Sequence, residues 1–260
     1  MKVNNHGGGI VSFDNAIELN RNFFNSYIKW LREAEEETFT YLEEDGKKYA
    51  INKTGFKFEI NDIPEAPERF VDLLGKSSGR EASEEVVNFI KQCEDALYEC
   101  LVEYCALYPE AATTIWWRGS AHIAGYNKGR WIGPHCDDQI QFEFDGLPKN
   151  EYPIHNTISC ALYFNDCVDS EEDLNGDNFV GGHIKFKYAG VDFSPKAGSA
   201  VLYPSSYMGT HEVTPVTSGE RYVYLEFFAY GIPKNSPGTD LKYMPNLIKD
   251  SLEKKNKNGN

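Results

Sequence analysis

His135, Asp137 and His211 are the side chains through which this 260-residue chain could do chemistry. His135 and Asp137 lie one residue apart in Gly-Pro-His-Cys-Asp-Asp, and His211 follows far downstream. Two imidazoles and one carboxylate are the ligand set of a mononuclear non-heme Fe(II) centre that leaves positions open for a co-substrate and O₂. Arg221 stands ten residues beyond His211, and a guanidinium is a permanently charged fork that can grip a carboxylate through two parallel hydrogen bonds. A five-carbon keto-diacid would span the gap, chelating metal at one end and meeting Arg221 at the other. The four side chains predict an enzyme that activates oxygen with iron and an α-keto acid. A bare His-x-Asp is common by chance, and the competing readings are a surface His135–Asp137 pair and an Arg221 that merely pairs with Glu220 or Glu226.

These residues must be positioned by strands. Residues i and i+2 of a strand face the same side, so His135 and Asp137 should both turn inward while Cys136 points away. His211 heads Glu-Val-Thr-Pro-Val, a further predicted strand. From residue 113 onward the apolar period is two, and short β-rich runs at 113–118, 120–126, 138–144, 156–165, 183–188, 199–203, 209–214 and 221–230 are divided by Gly, Pro, Asn and Asp. Eight short strands with no long helix between them predict a mainly β fold, a double-sheet jelly roll or a barrel, because those architectures limit exposed edges.

Upstream the period is helical. Asp14 is expected to cap a helix through Ile17, Phe23, Phe24, Tyr27, Ile28 and Leu31, ending near the acidic run 33–37. Residues 38–62 suggest a hairpin or irregular strands around Asp45-Gly46, with a further turn at Asn52 to Gly55. Pro64 and Pro67 bracket the start of a predicted helix through Val71, Leu73 and Leu74, closed by Gly75. Ser83 opens a longer amphipathic helix carrying Val86, Phe89, Ile90, Cys93, Leu97, Leu101 and Cys105 on one stripe and ending at Tyr108-Pro109. The organisation expected is a helical buttress over 1–112 in the same domain as a β core over 113–232, followed by a tail over 233–260 with one short helix near 244–254.

Composition narrows the function classes. Aromatics at 14% and hydrophobic residues at 41% supply a large core and argue against disorder. A net charge of −14 disfavours nucleic acid as a partner, which weighs against a nucleic-acid repair enzyme. The six cysteines (93, 100, 105, 136, 160, 167) show neither Cys-x-x-Cys nor zinc spacing and are read as reduced, mostly buried thiols. With no leader-like N-terminus and no apolar run of membrane length, a cytoplasmic protein without membrane contact is expected.

The run of motifs resembles the prolyl-4-hydroxylase-like branch of the Fe(II)/2-oxoglutarate-dependent dioxygenases. The resemblance covers about residues 113–230: Gly125-Tyr126, GPHCDD at 133–138, TISCALYFND at 157–166, GGHIKF at 181–186, SPKAGSAVLYPS at 194–205 and GTHEVTPVTSGERYVYLEFF at 209–228. It implies a double-stranded β-helix buttressed by helices, with Fe(II) on His135, Asp137 and His211, 2-oxoglutarate as co-substrate and O₂ as oxidant. It further implies that Arg221 binds the distal carboxylate of 2-oxoglutarate, that Tyr163 matches a donor to the same carboxylate, and that Tyr126 matches a tyrosine near the co-substrate. A core aromatic using its hydroxyl locally is the plainer reading of either tyrosine. Because related halogenases replace the carboxylate ligand by a small residue, the intact Asp137 implies hydroxylation of an unactivated C–H bond, with release of succinate and CO₂.

The implied substrate is a free amino acid or a peptidyl residue, prolyl among them. Loops 127–134, 145–156 and 166–181, with Trp116, Trp117, Arg118, Arg130, Trp131, Asp138 and Gln139, are candidates for the mouth of the site. The acidic loop 166–178 reads first as a solvated turn and second as an attractor of cationic substrates. His122 and His183 are expected to be structural or pocket-lining. The alternative function is a non-catalytic or 2-oxoglutarate-independent, cupin-like metal-binding β-sandwich.

Overall fold

In the computed structural model the described residues are 1–44, 47–52, 57–60, 67–76, 78–138, 154–231 and 241–258. The expected turns at Asp45-Gly46 and Asn52 to Gly55, the helix start at Pro64, most of the strand at 138–144, Gln139 and most of the loop 145–156 fall partly or wholly outside them.

Most of the first fourteen residues are sheet, which sequence reasoning missed because Asn-Asn-His-Gly-Gly-Gly reads as loop. Strands β1 (Lys2–Gly7) and β2 (Ile10–Asp14) form a hairpin. Helix α1 (Arg21–Thr38) follows. Asp14 is therefore the end of a strand, and the helix is capped by Asn20, whose side chain accepts from the Phe23 N–H at 3.2 Å. Strands β3 (Phe39–Glu44), β4 (Lys47–Asn52) and β5 (Lys57–Ile60) make the antiparallel sheet expected within 38–62.

The helix predicted through Val71 and Leu74 is absent. Strand β6 (Glu68–Phe70) is followed instead by a turn wound around Asp72, whose carboxylate accepts from the backbone N–H of Lys76 at 2.9 Å and Ser78 at 3.2 Å. An Asp that satisfies nearby N–H groups competes with helix formation. Helix α2 (Glu84–Leu107) agrees with its predicted stripe and is capped by Ser83, which accepts from Val86 N–H at 3.3 Å.

After α3 (Pro109–Ala112) come β7 (Trp117–Arg118), β8 (His122–Tyr126), β9 (Ile132–His135), β10 (Ile154–Tyr163), β11 (Cys167–Val168), β12 (Phe179–Gly181), β13 (Ile184–Phe186), β14 (Val191–Phe193), β15 (Ala200–Pro204), β16 (His211–Val213), β17 (Val216–Gly219) and β18 (Arg221–Gly231). Strand β19 (Lys242–Tyr243) and helix α4 (Leu247–Asn258) complete the described chain. The segment expected as a tail is built into the fold: β19 pairs with β7, and Tyr98 on α2 donates to Asp250 on α4 at 2.6 Å.

A large sheet runs β1-β2-β15-β10-β18-β7-β19, with β8 also on β18 and β6 on β8. A smaller sheet runs β14-β13-β16-β9. Both faces of the large sheet are covered, so β10 and β18 are nearly continuous apolar runs whose alternate residues serve different cores. Cys160, Leu162, Tyr222, Tyr224 and Phe228 pack under α1 and α2, while Ala161, Tyr163 and Val223 face Ile184, Phe186 and Val213 of the small sheet. The result is a double-stranded β-helix buttressed on one face by helices. The pocket of interest lies between the two sheets.

Candidate metal centre and adjoining cavity

Strand β9 is short because Gly133 and Pro134 interrupt an otherwise regular pairing. The same interruption kept 132–135 out of the strands read from periodicity, and the strand expected to carry both His135 and Asp137 ends at His135. His135 is its last residue and sits directly opposite His211 in the β9–β16 register, their ring centroids 4.4 Å apart. Beyond His135 the chain bends, bringing Asp137 Oδ1 within 3.6 Å of His135 Nε2. Cys136 does not point away from the site as a continued strand would require; it borders the same cavity.

Candidate ligand atoms of His135, Asp137 and His211 all lie within 4.8 Å of one another. Each imidazole is oriented by its own backbone: Nδ1 of His135 donates to the Gly133 carbonyl at 2.8 Å and Nδ1 of His211 to the Gly209 carbonyl at 2.9 Å. A carbonyl can only accept, which fixes the proton on Nδ1 and leaves each Nε2 lone pair for a metal. Burial, with His135 beside it, outweighs the pull of Asp137 and holds His211 below the ordinary imidazole range. Asp137 Oδ2 is buried with no hydrogen-bond partner. A divalent cation would satisfy that oxygen, so the donor set fits Fe(II).

One neighbour of this set was missed. Tyr203, on β15, is buried with its hydroxyl 3.3 Å from His211 Nε2, and burial together with Asp137 pushes the phenol well above its usual range. It stands in the quoted run SPKAGSAVLYPS, and the inward alternation of β15 was the signal available.

Arg221 opens β18 and is 1% exposed. Neither competing partner claims it. Glu226 faces the helix layer and pairs with Arg118, and Glu220 accepts from Arg32 at 3.4 Å. The Arg221 guanidinium instead lies 4.6 Å from the Tyr126 ring centroid and 5.3 Å from that of Tyr163. Its Nε and one terminal nitrogen, and the Tyr163 hydroxyl, are buried without partners. Burial raises the Tyr126 phenol and pushes Tyr163 up to about 12, against the pull of Arg221, so both stay protonated donors.

Two local devices seat the arginine. Gly182 adopts φ +60°, and a Cβ there would come within 2.8 Å of Arg221 Cδ. Asn165 clasps the backbone on either side, donating to the Glu220 carbonyl at 2.6 Å and accepting from the Tyr222 N–H at 3.0 Å.

Metal set and arginine line one cavity of about 320 Å³. Tyr126 and Arg221 close one end, with the Tyr163 ring packed against the guanidinium. Outward from them the wall continues through Val223, Leu225 and Phe227 on β18 and through Ala124 and His122 on β8, which is the inward alternation of two paired strands. Of the residues expected at the mouth, Ile132 from the loop 127–134 lines the cavity. Arg118 does not: it is buried under α2, hydrogen-bonded to Glu226 and to the Glu94 carbonyl. Trp116 and Asp138 border a different groove, and no carboxylate of loop 166–178 lines the cavity. Asp166 is 3.4 Å from Arg21, and Asp177 accepts from Asn25 at 2.9 Å. The carboxylates of that loop thus stand outside the cavity lining.

A double-stranded β-helix with a two-histidine, one-carboxylate cluster between its sheets and a buried arginine at the closed end defines a class of mononuclear non-heme metal fold. Residues 121–229 match the model of the 2OG-Fe(II) oxygenase superfamily. Its members use Fe(II), 2-oxoglutarate and O₂. A PKHD-type hydroxylase of Colwellia psychrerythraea is 32% identical over 127 residues, 48% of this chain and 49% of that protein. One from Sphingopyxis alaskensis is 30% identical over 113 residues, 43% and 44% of the two chains. The chain thus spans about half the length of the curated relatives it matches. Among solved structures, a viral collagen prolyl hydroxylase from Paramecium Bursaria Chlorella virus-1 aligns over 85% of this chain and 95% of that one, at 14% identity and a TM-score of 0.49. No described helix is long and apolar enough to cross a membrane.

Proposed function

We propose that this chain is a 2-oxoglutarate-dependent Fe(II) hydroxylase that acts on an unactivated C–H bond of a free amino acid or a peptidyl residue such as proline, releasing succinate and CO₂. The observation that carries the proposal is the buried Arg221 guanidinium, two of whose nitrogens have no hydrogen-bond partner, in the same cavity as the ligand cluster. Burying an uncompensated cation costs several kcal/mol, on the order of what an ionic partner repays. The distal carboxylate of 2-oxoglutarate is such a partner, and Tyr163 adds a hydroxyl donor to it.

In this reading His135, Asp137 and His211 hold the iron. Bound iron, with 2-oxoglutarate and O₂, supplies the oxidising equivalents for hydroxylation. The protein's own task is positional. Gly133 and Gly209 fix the imidazole tautomers, Asn165 and Gly182 aim Arg221, and Ala124, Val223 and Leu225 keep water from the reacting carbon. Residues 1–112 and 113–232 act as one unit, a reading supported by β2 and β6 pairing with strands of the core sheet. A cytoplasmic setting accords with six free thiols.

Anaerobic addition of Fe(II) and 2-oxoglutarate should produce a metal-to-ligand charge-transfer band in the wild type. Arg221→Ala should shift its half-saturation to about 10- to 100-fold higher 2-oxoglutarate, the scale of a lost charge-assisted pair. A wild type without the band would refute the proposal.

A further inference from the structure

One cation in the reaction cavity has no task in the chemistry above. Arg69, the middle residue of β6, lies opposite Ala124 in the β6–β8 register and lines the cavity wall. Strand alternation sends its neighbours elsewhere: Phe70 enters the core under the helices, and Glu68 lies 3.3 Å from Arg32 and accepts from Asn127 at 3.0 Å. The nearest acidic residue in sequence is thus already engaged on another side. Among the described residues no carboxylate lies within ion-pair reach of Arg69.

The surroundings favour an incoming ligand over a solvated edge charge. Arg69 is exposed, on the rim of the cavity whose closed end is formed by Arg221 and whose centre is the ligand cluster. Ala124 and its cross-strand neighbour Val223 line the same cavity. His122 and Phe227, stacked with centroids 6.2 Å apart, form a flat apolar wall next to it. Burial and the Arg69 charge push His122 down to about 4, so the imidazole stays neutral and does not add a second cation. A charged lysine or ammonium group would meet Arg69 as a like charge on entry.

We propose that Arg69 is a specificity-determining residue that anchors a carboxylate of the substrate, so that this site prefers acids to their amides and to amines. The inference rests on the reading of the cavity as a 2-oxoglutarate oxygenase site. The carboxylate could be the terminal group of an amino acid or peptide, or an acidic side chain within a peptide. Both present the planar oxygen pair that a guanidinium fork matches.

The test is calorimetric binding of paired probes to the full chain loaded with Zn(II) and 2-oxoglutarate, repeated on the chain alone. N-acetyl-proline and N-acetyl-leucine, each against its amide, read a terminal carboxylate; N-acetyl-glutamic acid α-amide against N-acetyl-glutamine amide reads a side-chain carboxylate. At least one pair should favour the acid about tenfold or more, the scale of a hydrogen-bonded charge. Arg69→Gln should erase that preference, Arg69→Lys should keep part of it, and Arg69→Glu should turn it toward the amide. Equal binding within every wild-type pair, or an acid preference that survives Arg69→Gln, would overturn the assignment. Failure of the oxygenase reading is seen separately, as absence of the Fe(II)/2-oxoglutarate band in wild type.

Discussion

A side chain's chemistry here depends on what its neighbours have already taken. Arg118 and Arg221 are both buried, but Arg118 is spoken for by Glu226 while Arg221 lies against the rings of Tyr126 and Tyr163 with two of its nitrogens unpartnered. That distinction was legible in part: the order of His135, Asp137, His211 and Arg221 indicated the ligand set and the anchor, whereas nothing in the sequence separated Arg118 from the residues at the mouth. Tyr203 was legible only as an inward-facing residue of its strand, since one tyrosine among 16 reveals its hydroxyl's neighbour only once two distant strands meet. His122 offers a prediction at this scale. Its imidazole is held at about 4 in the folded protein against an ordinary 6.5, chiefly by burial and then by Arg69. A depressed folded value means that the unfolded chain takes up a proton first as pH falls through 6.5. The stabilising contribution is therefore complete above that pH and is lost toward pH 4. Between pH 7.5 and pH 5 the wild type should lose about 2 kcal/mol more unfolding free energy than His122→Gln, measured by urea denaturation of the metal-free proteins. Parallel pH profiles would show that the histidine is not so held.

At the scale of elements, periodicity predicted what was long and regular. Helix α2 and strands β10 and β18 stood out because each repeats its apolar pattern over several turns or pleats. Short elements escaped: β9 contains Gly133 and Pro134, β1 ends in glycine, and the turn around Asp72 has enough leucines to imitate a helix. The fit between layers also rests on polar contacts invisible to periodicity. Glu226, on the helix-facing side of β18, is 1% exposed and takes two hydrogen bonds from Arg118 of β7, which in turn donates to the Glu94 carbonyl of α2. This pair ties sheet to helix with three groups satisfied at once. Arg118→Met strands a buried carboxylate and should cost about 3–5 kcal/mol in chemical denaturation, whereas Arg118→Met combined with Glu226→Gln should recover a large part of that loss. If the single and double variants were equally unstable, the cost would come from packing around Arg118 rather than from the orphaned charge.

Across the whole molecule, the site exists only where the two sheets face each other. The large sheet carries the arginine, the tyrosines and the cavity wall, while the small sheet and the bend after it carry the metal ligands. Sequence order gave the ligands, but their closure depends on β16 pairing with β9 across a long stretch of chain, a matter of topology that the match to a double-stranded β-helix family supplied. Strands β9 and β16 are four and three residues long, so backbone pairing alone holds His135 beside His211 weakly. A metal ion bridging them would act as a clip between chain segments far apart in sequence, and its binding free energy adds to folding stability because the unfolded chain offers no assembled site. A ligand present at 100 times its dissociation constant adds about 2.7 kcal/mol, and for a domain of this size each kcal/mol raises the melting temperature by about 2 °C. Fe(II), or Mn(II) as a redox-stable substitute, should therefore raise the melting midpoint by about 5 °C over the chelator-treated protein, with a further increment on adding 2-oxoglutarate. Asp137→Ala should abolish the metal increment, and Arg221→Ala should leave it while removing the one due to 2-oxoglutarate. That pattern assigns one ligand to the small sheet and the other to the large one; a midpoint indifferent to metal in the wild type would mean that the three side chains meet without binding it.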